Sequence, residues 1–358
     1  MNVILVTAND QQSYEREWAH SERLLAHLRC LGCRPGLVSI PQNDPDLLSF
    51  ELRESAHMLH AFHAVRCGLA CREIARKTRV PFIVSCVGSD IYIDLLNPGL
   101  QGLLADTLLS ADRVVVPVAH MQKWLEERLP RLRTTVVIPR STEKRVPVEP
   151  LNRSQFGFEP NHRLLLLAGG VRPVKNPLFA VKAVAPLIKL WPDLRLVIVG
   201  PVVDHEYGKR FQEAIAATPW VVFIGERPSE EMPKWYQEAE IILNVSHVEG
   251  GSGDVLEAMA LGKPVIAADI PGNRAYIRYS RSDPESSTGL LYFTSSAPEG
   301  YQRVHDREDF AELLRTLLND PERAIRMGQR AAYYAKSELR PDLEAYRYWQ
   351  LYREVLGK

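Results

Sequence analysis

The chain alternates two kinds of apolar pattern. Short continuous apolar runs occupy residues 2–7, 36–40, 56–62, 81–87, 113–117 and 134–138. Between them, segments such as 18–31 and 68–77 repeat their apolar residues at helical spacing. Continuous apolar strands separated by helices predict parallel strands covered on both faces, because a sheet wetted on one face would alternate polar and apolar positions instead. Residues 139–150 interrupt this rhythm with three prolines and five charges and read as a linker. A second series follows at 163–168, 195–199, 221–224, 240–244 and 264–268, with 290–293 as a further strand candidate. Residues 344–355 read as an aromatic-rich helix. The expectation is an α/β protein of two doubly wound, Rossmann-like domains, an N-terminal one at 1–150 and a C-terminal one at 151–340. A last helical segment, 341–358, is free to pack back on the first domain. Two such domains in tandem would turn their strands' carboxyl ends toward one interdomain cleft, and open α/β sheets bind ligands at those ends.

Composition narrows the function classes. The 358 residues suit two domains of ordinary size. Lys+Arg and Asp+Glu number 44 each, so nucleic acid is not expected as a partner: binding a phosphate backbone needs a basic excess. A local basic run at Arg128, Arg131 and Arg133 reads as a solvated helix end, with weak peripheral contact to anionic lipid as the other use of those charges. No run approaches the ~20 apolar residues of a membrane span, and residues 1–7 read as a first strand rather than a signal peptide. A cytoplasmic location is therefore expected. Of the five cysteines, Cys30, Cys33, Cys67 and Cys71 can be written as a zinc tetrad, but their spacing carries no recognised metal pattern, and with Cys86 they read as buried thiols. Metal ligands are expected to be absent.

The chemistry lies in two glycine-containing loops of the second half, each directly after an apolar strand. One runs from Asn244 through Glu249, Gly250, Gly251, Ser252 and Gly253 into a helical pattern holding Asp254 and Glu257. Glycines let backbone approach a ligand, and the unpaired N–H groups of a helix start suit a phosphate. The two glutamates can serve different hydroxyl-bearing parts of one ligand. Asp254 is unusual there, since a carboxylate facing the loop would repel a phosphate, whereas one turned away would favour the helix dipole. The other loop, Gly169, Gly170, Val171, Arg172, Pro173, Val174, Lys175, places two cations three residues apart, a pairing able to neutralise a diphosphate. In the first half, His63, Arg66 and Asp90 lie near the ends of strand candidates, where His63 and Arg66 suit an anionic group. Asn273, in the turn Pro271-Gly272-Asn273, sits at another strand end.

With these residues in view, the second half resembles the retaining GT-B glycosyltransferases of family 4. Their pattern E-G-x-x-x-x-x-L-E-A-x-A-x-G-x-P-V matches from Glu249 to Val265, and Gly225, Tyr236-x-x-Ala239 and Thr288-Gly289-Leu290-Leu291 match other family positions. The form G-x-R-x-x-K-x-P at Gly170–Pro177, with Pro271-Gly272-Asn273, Gly88-Ser89-Asp90 and His63-x-x-Arg66, is similar to a smaller branch. That branch holds the glycosyltransferase 1 domain-containing proteins and the selenosugar synthases.

The resemblance implies a GT-B fold and transfer of a sugar, with retention, from a nucleotide sugar to a small-molecule or glycan acceptor. UDP is the default carrier and no cofactor is implied. Arg172 and Lys175 would hold the diphosphate, and the Gly250, Gly251 and Ser252 amides would meet the distal phosphate and sugar. Glu249 would take sugar hydroxyls and Glu257 the ribose, with Gly170 and Gly253 beside the donor. Backbone near Arg227 would contact the base, and His63, Arg66, Asp90 and Asn273 would lie on the acceptor side, with His63 and Arg66 suited to an anionic acceptor.

Two departures stand out. Residues 14–18 lack the family's glycines after the first strand, with Arg16 as a substitute charge, and Val87 stands where many relatives carry histidine. The alternatives are a nucleotide-sugar-binding GT-B protein without turnover and a sugar-nucleotide epimerase. A nicotinamide dehydrogenase is set aside, since no G-x-G-x-x-G follows a first strand.

Overall fold

The computed structural model describes residues 1–8, 14–40, 56–147, 149–294 and 304–357. The chain divides into two compact units, Met1–Ser141 with Leu339–Lys358, and Thr142–Glu338.

The first unit is built on six parallel strands: β1 (Asn2–Ala8), β2 (Arg34–Ile40), β3 (Met58–Phe62), β4 (Phe82–Ser85), β5 (Arg113–Val116) and β6 (Thr135–Val137). Their order is β2-β1-β3-β4-β5-β6. All neighbours pair parallel, and Leu5 of β1 lies between Leu37 and His60. β3 and β4 are buried at every position, as expected of strands with helices on both faces.

Helix Pro341–Val355 completes this unit. Its Ala345, Tyr348, Leu351 and Tyr352 enter the same core as Val3, Leu5, Leu24, Leu28, Phe62 and Val115. That core also carries a polar seam. His60 bonds the Tyr352 hydroxyl through Nδ1 and Ser85 Oγ through Nε2, both at 2.7 Å, and Ser85 Oγ lies 2.8 Å from the Tyr348 hydroxyl. Burial holds the His60 imidazole down at about 3, so the ring is neutral and bonds as one donor and one acceptor.

A second buried cluster joins three segments. His20 Nε2 meets Glu344 Oε1 at 2.8 Å, while the Ser141 amide (3.0 Å) and hydroxyl both donate to Glu344 Oε2. Burial raises the Glu344 carboxyl, but the His20 interaction and the Ser141 and Arg23 contributions outweigh it and hold it down to about 2. Ser141 is the last residue before the chain enters the second unit, and Glu344 lies shortly after its return.

The second unit repeats the plan with β7 (Arg163–Ala168), β8 (Leu194–Val199), β9 (Val221–Gly225), β10 (Ile241–Asn244), β11 (Val265–Ala268) and β12 (Leu290–Tyr292). The order β12-β11-β10-β7-β8-β9 is that of a dinucleotide-binding Rossmann sheet, with its switch point between β7 and β10. Leu165, Leu167, Leu196, Ile198, Leu243 and Ile266 fill the core together with Phe179, Tyr292 and Phe310. Phe179 stacks on Tyr292 at 5.3 Å, and Phe310 meets both rings edge-on. Among the described residues, no helix is long and apolar enough to cross a membrane.

Four cysteines are spent on the first unit's interior, and Cys30 is exposed. Cys67 donates its thiol to backbone carbonyls, Phe62 O at 2.5 Å among them, and burial pushes the Cys67, Cys71 and Cys86 thiols up. The side chain of Arg16 lies outside the described residues.

Glu344→Gln is expected to destabilise the first unit by about 2 kcal/mol at neutral pH. The amide offers one acceptor where two sets of donors converge, so either Ser141 faces an N–H₂ or His20 must move its ring proton to Nδ1, which is buried with no hydrogen-bond partner among the described residues. Glu344 has a depressed folded pKa. Its stabilisation is therefore full above the ordinary value of 4.5 and is lost as pH falls toward about 2. Urea midpoints of wild type and variant should converge over that window, and midpoints that differ equally at pH 7 and pH 2 would count against this electrostatic role.

Candidate functional site

The sequence-predicted donor residues gather at the switch point of the second sheet. After β7 the backbone turns at Gly169, whose φ of +144° disfavours a side chain. A Cβ there would also lie 3.4 Å from Lys175 Cε, so the bare position lets the lysine stem cross close over the strand end. Gly170 continues the turn beside Val203, where a Cβ would come within 2.5 Å of Val203 Cγ2. Arg172 is extended and half-buried, and it leads into a short 3₁₀ turn, Pro173–Lys175. The Arg172 carbonyl accepts the Lys175 N–H at 3.1 Å, which aims the two side chains from one tight turn.

Lys175 is buried, and its Nζ donates to Glu249 Oε1 at 2.5 Å. The loops after β7 and β10 are further tied by the His247 N–H donating to Val174 O at 2.9 Å. Burial pushes the Glu249 carboxyl up, but the Lys175 charge and hydrogen bonds from Lys175, Ser246 and Asn244 outweigh burial and hold it below the usual carboxylate range. Glu249 is therefore an anion paired with a cation, in a place where neither would be tolerated alone.

The helix Gly253–Ala260 starts beside this pair with Ser252 at its N-cap. Ser252 does not cap with its side chain. Its hydroxyl donates instead to Asn273 Oδ1. Asn273 is fully buried, and its Nδ2 donates to Asn244 Oδ1 (3.1 Å) and Ala268 O (2.9 Å). Asn244, at the end of β10, in turn donates to Glu249 Oε1 (3.3 Å) and Asp254 Oδ2 (2.9 Å). The structure thus brings Asn273, read from the sequence as acceptor-side, into one hydrogen-bond network with Ser252, Asn244 and Glu249, which were read as parts of the donor loop. Gly272 makes this possible. A Cβ on it would lie 2.2 Å from Glu249 O and 2.7 Å from Glu249 Cβ, so only a glycine lets the 271–274 turn lie against the Glu249 backbone.

Gly250 is buried, while Gly251 and Gly253 are half-buried. A Cβ on Gly253 would meet nothing within 4 Å, so the first helical residue borders open space. Glu257, one turn further on, accepts from Arg145 at 3.2 Å, with both side chains about one-third exposed. Arg227 follows β9, two strands from β7, and its guanidinium lies 5.7 Å from the Phe156 ring centroid. At roughly 4.8 Å per strand spacing, Arg227 stands on the order of 10 Å along the sheet edge from the Lys175 loop.

In the first unit, His63 directly follows β3 with φ +83°, a strained value for a residue with a side chain. It is buried, and its Nδ1 accepts the Val65 and Arg66 N–H groups, both at 3.2 Å. The ring proton accordingly sits on Nε2, facing Ser89 Oγ at 3.2 Å and Asp94 Oδ2 at 3.7 Å. Asp90 is also fully buried. Its carboxylate accepts from the N–H groups of Ala64 (3.1 Å), Val87 (3.1 Å) and Gly88 (2.9 Å), clasping the loops after β3 and β4 together. Arg66 is half-buried and near Asp94, whose carboxyl is pushed up by burial and Asp90, with Arg66 opposing. Among the described residues, no cluster of three or more His, Cys, Asp or Glu side chains has metal-holding geometry.

The sequence profile of the family described as Glycosyl transferases group 1 matches residues 148–333, more than half of the chain. The chain belongs to this family. A relative named glycosyltransferase 1 domain-containing protein 1, from Xenopus tropicalis, is 28% identical over 274 residues, covering 74% of this chain and 74% of that protein. D-inositol 3-phosphate glycosyltransferase of Nocardia farcinica is 29% identical over 239 residues, covering 64% of this chain but 49% of that protein, so the chain spans about half the length of that relative. Two solved structures share the fold. Sucrose-phosphate synthase from Thermosynechococcus elongatus superposes with a TM-score of 0.80 at 16% identity, covering 100% of this chain and 99% of that one. Anabaena HepE in complex with UDP and glucose gives 0.79 at 15% identity, covering 99% and 100%. The group 1 glycosyltransferase has the GT-B fold of two Rossmann-like domains.

The Asn244 and Arg145 partnerships had no motif to announce them. Asn244 ends a strand, and Arg145 falls in the segment read as linker. A polar residue closing an otherwise apolar strand was the one available signal for Asn244.

Gly272→Ala is expected to destabilise the second unit by about 2 kcal/mol or more, since backbone rather than a flexible side chain must yield to the new methyl. Thermal unfolding would measure it. A melting temperature within a degree of wild type would show that the turn does not depend on this close approach.

Proposed function

We propose that this chain is a retaining glycosyltransferase that moves a sugar from a UDP-sugar to a small-molecule or glycan acceptor, without a divalent ion or other cofactor. The observation that carries the reading is the buried Lys175–Glu249 pair at the switch point of a Rossmann-ordered sheet, beside a helix start bordering open space. HepE, solved with UDP and glucose on the same fold, supports UDP as the carrier.

In the reaction, the bond between the anomeric carbon and the diphosphate oxygen breaks and that oxygen keeps the electron pair. The acceptor hydroxyl oxygen bonds the anomeric carbon from the same face, and its proton passes to the departing phosphate oxygen. Lys175, Arg172 and the first N–H groups of helix Gly253–Ala260 meet the charge that develops on the leaving group. Glu249 takes sugar hydroxyls and Glu257 takes the ribose, while backbone near Arg227 lies toward the base. Each of these carboxylates exchanges a protein partner for the donor: Glu249 gives up Lys175, and Glu257 gives up Arg145.

On the acceptor side, the names of the D-inositol 3-phosphate glycosyltransferases support an anionic acceptor. His63 and Asp90 act on it indirectly, by shaping the loops that carry Arg66 and Ser89. Arg66 is the cation that would meet an anionic group.

Arg172→Ala and Lys175→Ala are each expected to lower donor turnover ~100-fold, read as UDP release from UDP-glucose and UDP-N-acetylglucosamine across an acceptor panel. Turnover unchanged in both variants would refute the diphosphate assignment. UDP should raise the wild-type melting temperature by mass action. Tight UDP binding with no turnover on any acceptor would leave a nucleotide-sugar-binding protein instead.

A further inference from the structure

Asp254 is the residue of the glycine loop that least suits an anion-binding helix start, yet it is almost wholly buried. It does not face solvent to serve the helix dipole. Its Oδ2 accepts from Asn244 at 2.9 Å and lies 4.0 Å from Lys175 Nζ. Its Oδ1 is buried with no hydrogen-bond partner among the described residues. An unsatisfied carboxylate oxygen in that position is costly, and an apolar side chain would avoid the cost. Lys175 therefore has two carboxylates within reach: Glu249 at contact distance, and Asp254 one step further. A single amide, Asn244, donates to both.

We propose that Asp254 is a positioning residue for Lys175, a second counter-charge that keeps the ammonium at the strand end when Glu249 turns to the donor sugar. This rests on the donor reading above. The need for it follows from that reading. If Glu249 were the sole partner of Lys175, each donor binding event would have to strip a buried cation of its only anion, and the lysine would compete with the sugar for the carboxylate. With Asp254 behind it, the lysine has a remaining anchor from which to reach the diphosphate. Asp254 is too deeply buried to touch the donor itself. Its effect should thus appear in how well Lys175 meets charge developing on the leaving group, which lowers kcat, more than in how tightly ground-state donor is held.

Asp254→Asn tests this. The asparagine oxygen can still accept from Asn244, so packing and that hydrogen bond are kept and only the charge is removed. At saturating UDP-glucose, or whichever UDP-sugar the wild type turns over, kcat should fall at least ~tenfold. The donor KM and the UDP Kd by calorimetry should stay within about threefold. Asp254→Glu keeps the charge but disturbs the packing more than the isosteric asparagine does, so it should retain more kcat than Asp254→Asn; a purely structural role predicts the opposite order. It also keeps the test open if Asp254→Asn folds poorly. If Asp254→Asn matches wild type in kcat, if its loss is confined to KM, or if Asp254→Glu is the more impaired of the two in kcat, the positioning role is overturned while the donor reading stands. If the wild type neither binds UDP nor releases it from UDP-sugars, both are overturned.

Discussion

A cation and an anion taken out of water together at the end of a parallel sheet set the terms for the rest of the second unit. Lys175 and Glu249 come from loops 74 residues apart in sequence, and each would be costly to bury without the other. Bringing them together requires β7 and β10 to lie side by side, which is what the crossover order of the sheet provides. It also requires the lysine stem to pass over a residue with no side chain, and the glutamate backbone to accept a turn pressed against it. The chain of hydrogen bonds Ser252–Asn273–Asn244 then holds the carboxylate with neutral side chains, and both amides have their oxygen and their N–H₂ engaged.

Much of this was legible in the residues. Parallel strands buried on both faces leave an apolar signature that needs no tertiary information, and Arg163–Ala168 is a plain case. The ends of strands were less legible. The run at 81–87 stays apolar through Cys86 and Val87, but β4 stops at Ser85, because the Val87 N–H is taken by Asp90 and the loop turns there. Lys175 and Glu249 stood out as candidates because glycine loops after strands are sparse and chemically suggestive. Which way a polar side chain faces could not be read. Asn273 lies inward because Gly272 lets its turn sit on the Glu249 backbone, and Asp90 lies inward because three N–H groups of two loops converge on it. Those directions depend on backbone placed by distant segments. Arg145 was hidden for a related reason: a linker-like composition says nothing about which helix the segment passes.

The first unit solves a different problem with similar means. Its core is apolar, but the helix Pro341–Val355 is seated by a polar seam of His60, Ser85, Tyr348 and Tyr352, beside the His20–Glu344–Ser141 cluster. Apolar packing alone would tolerate several rotations of an aromatic helix. Hydrogen bonds at 2.7–2.8 Å between buried partners tolerate far fewer.

That seating has a consequence for how the polypeptide comes off the ribosome. The second unit is contiguous in sequence, and it can close around its own core as soon as its last helix has emerged. The first unit cannot: Ala345, Tyr348, Leu351 and Tyr352, which fill its interior, are synthesised only after the whole of the other unit. The segments of the second unit's core are thus all in place before those of the first unit, whose core stays incomplete until helix Pro341–Val355 has been made.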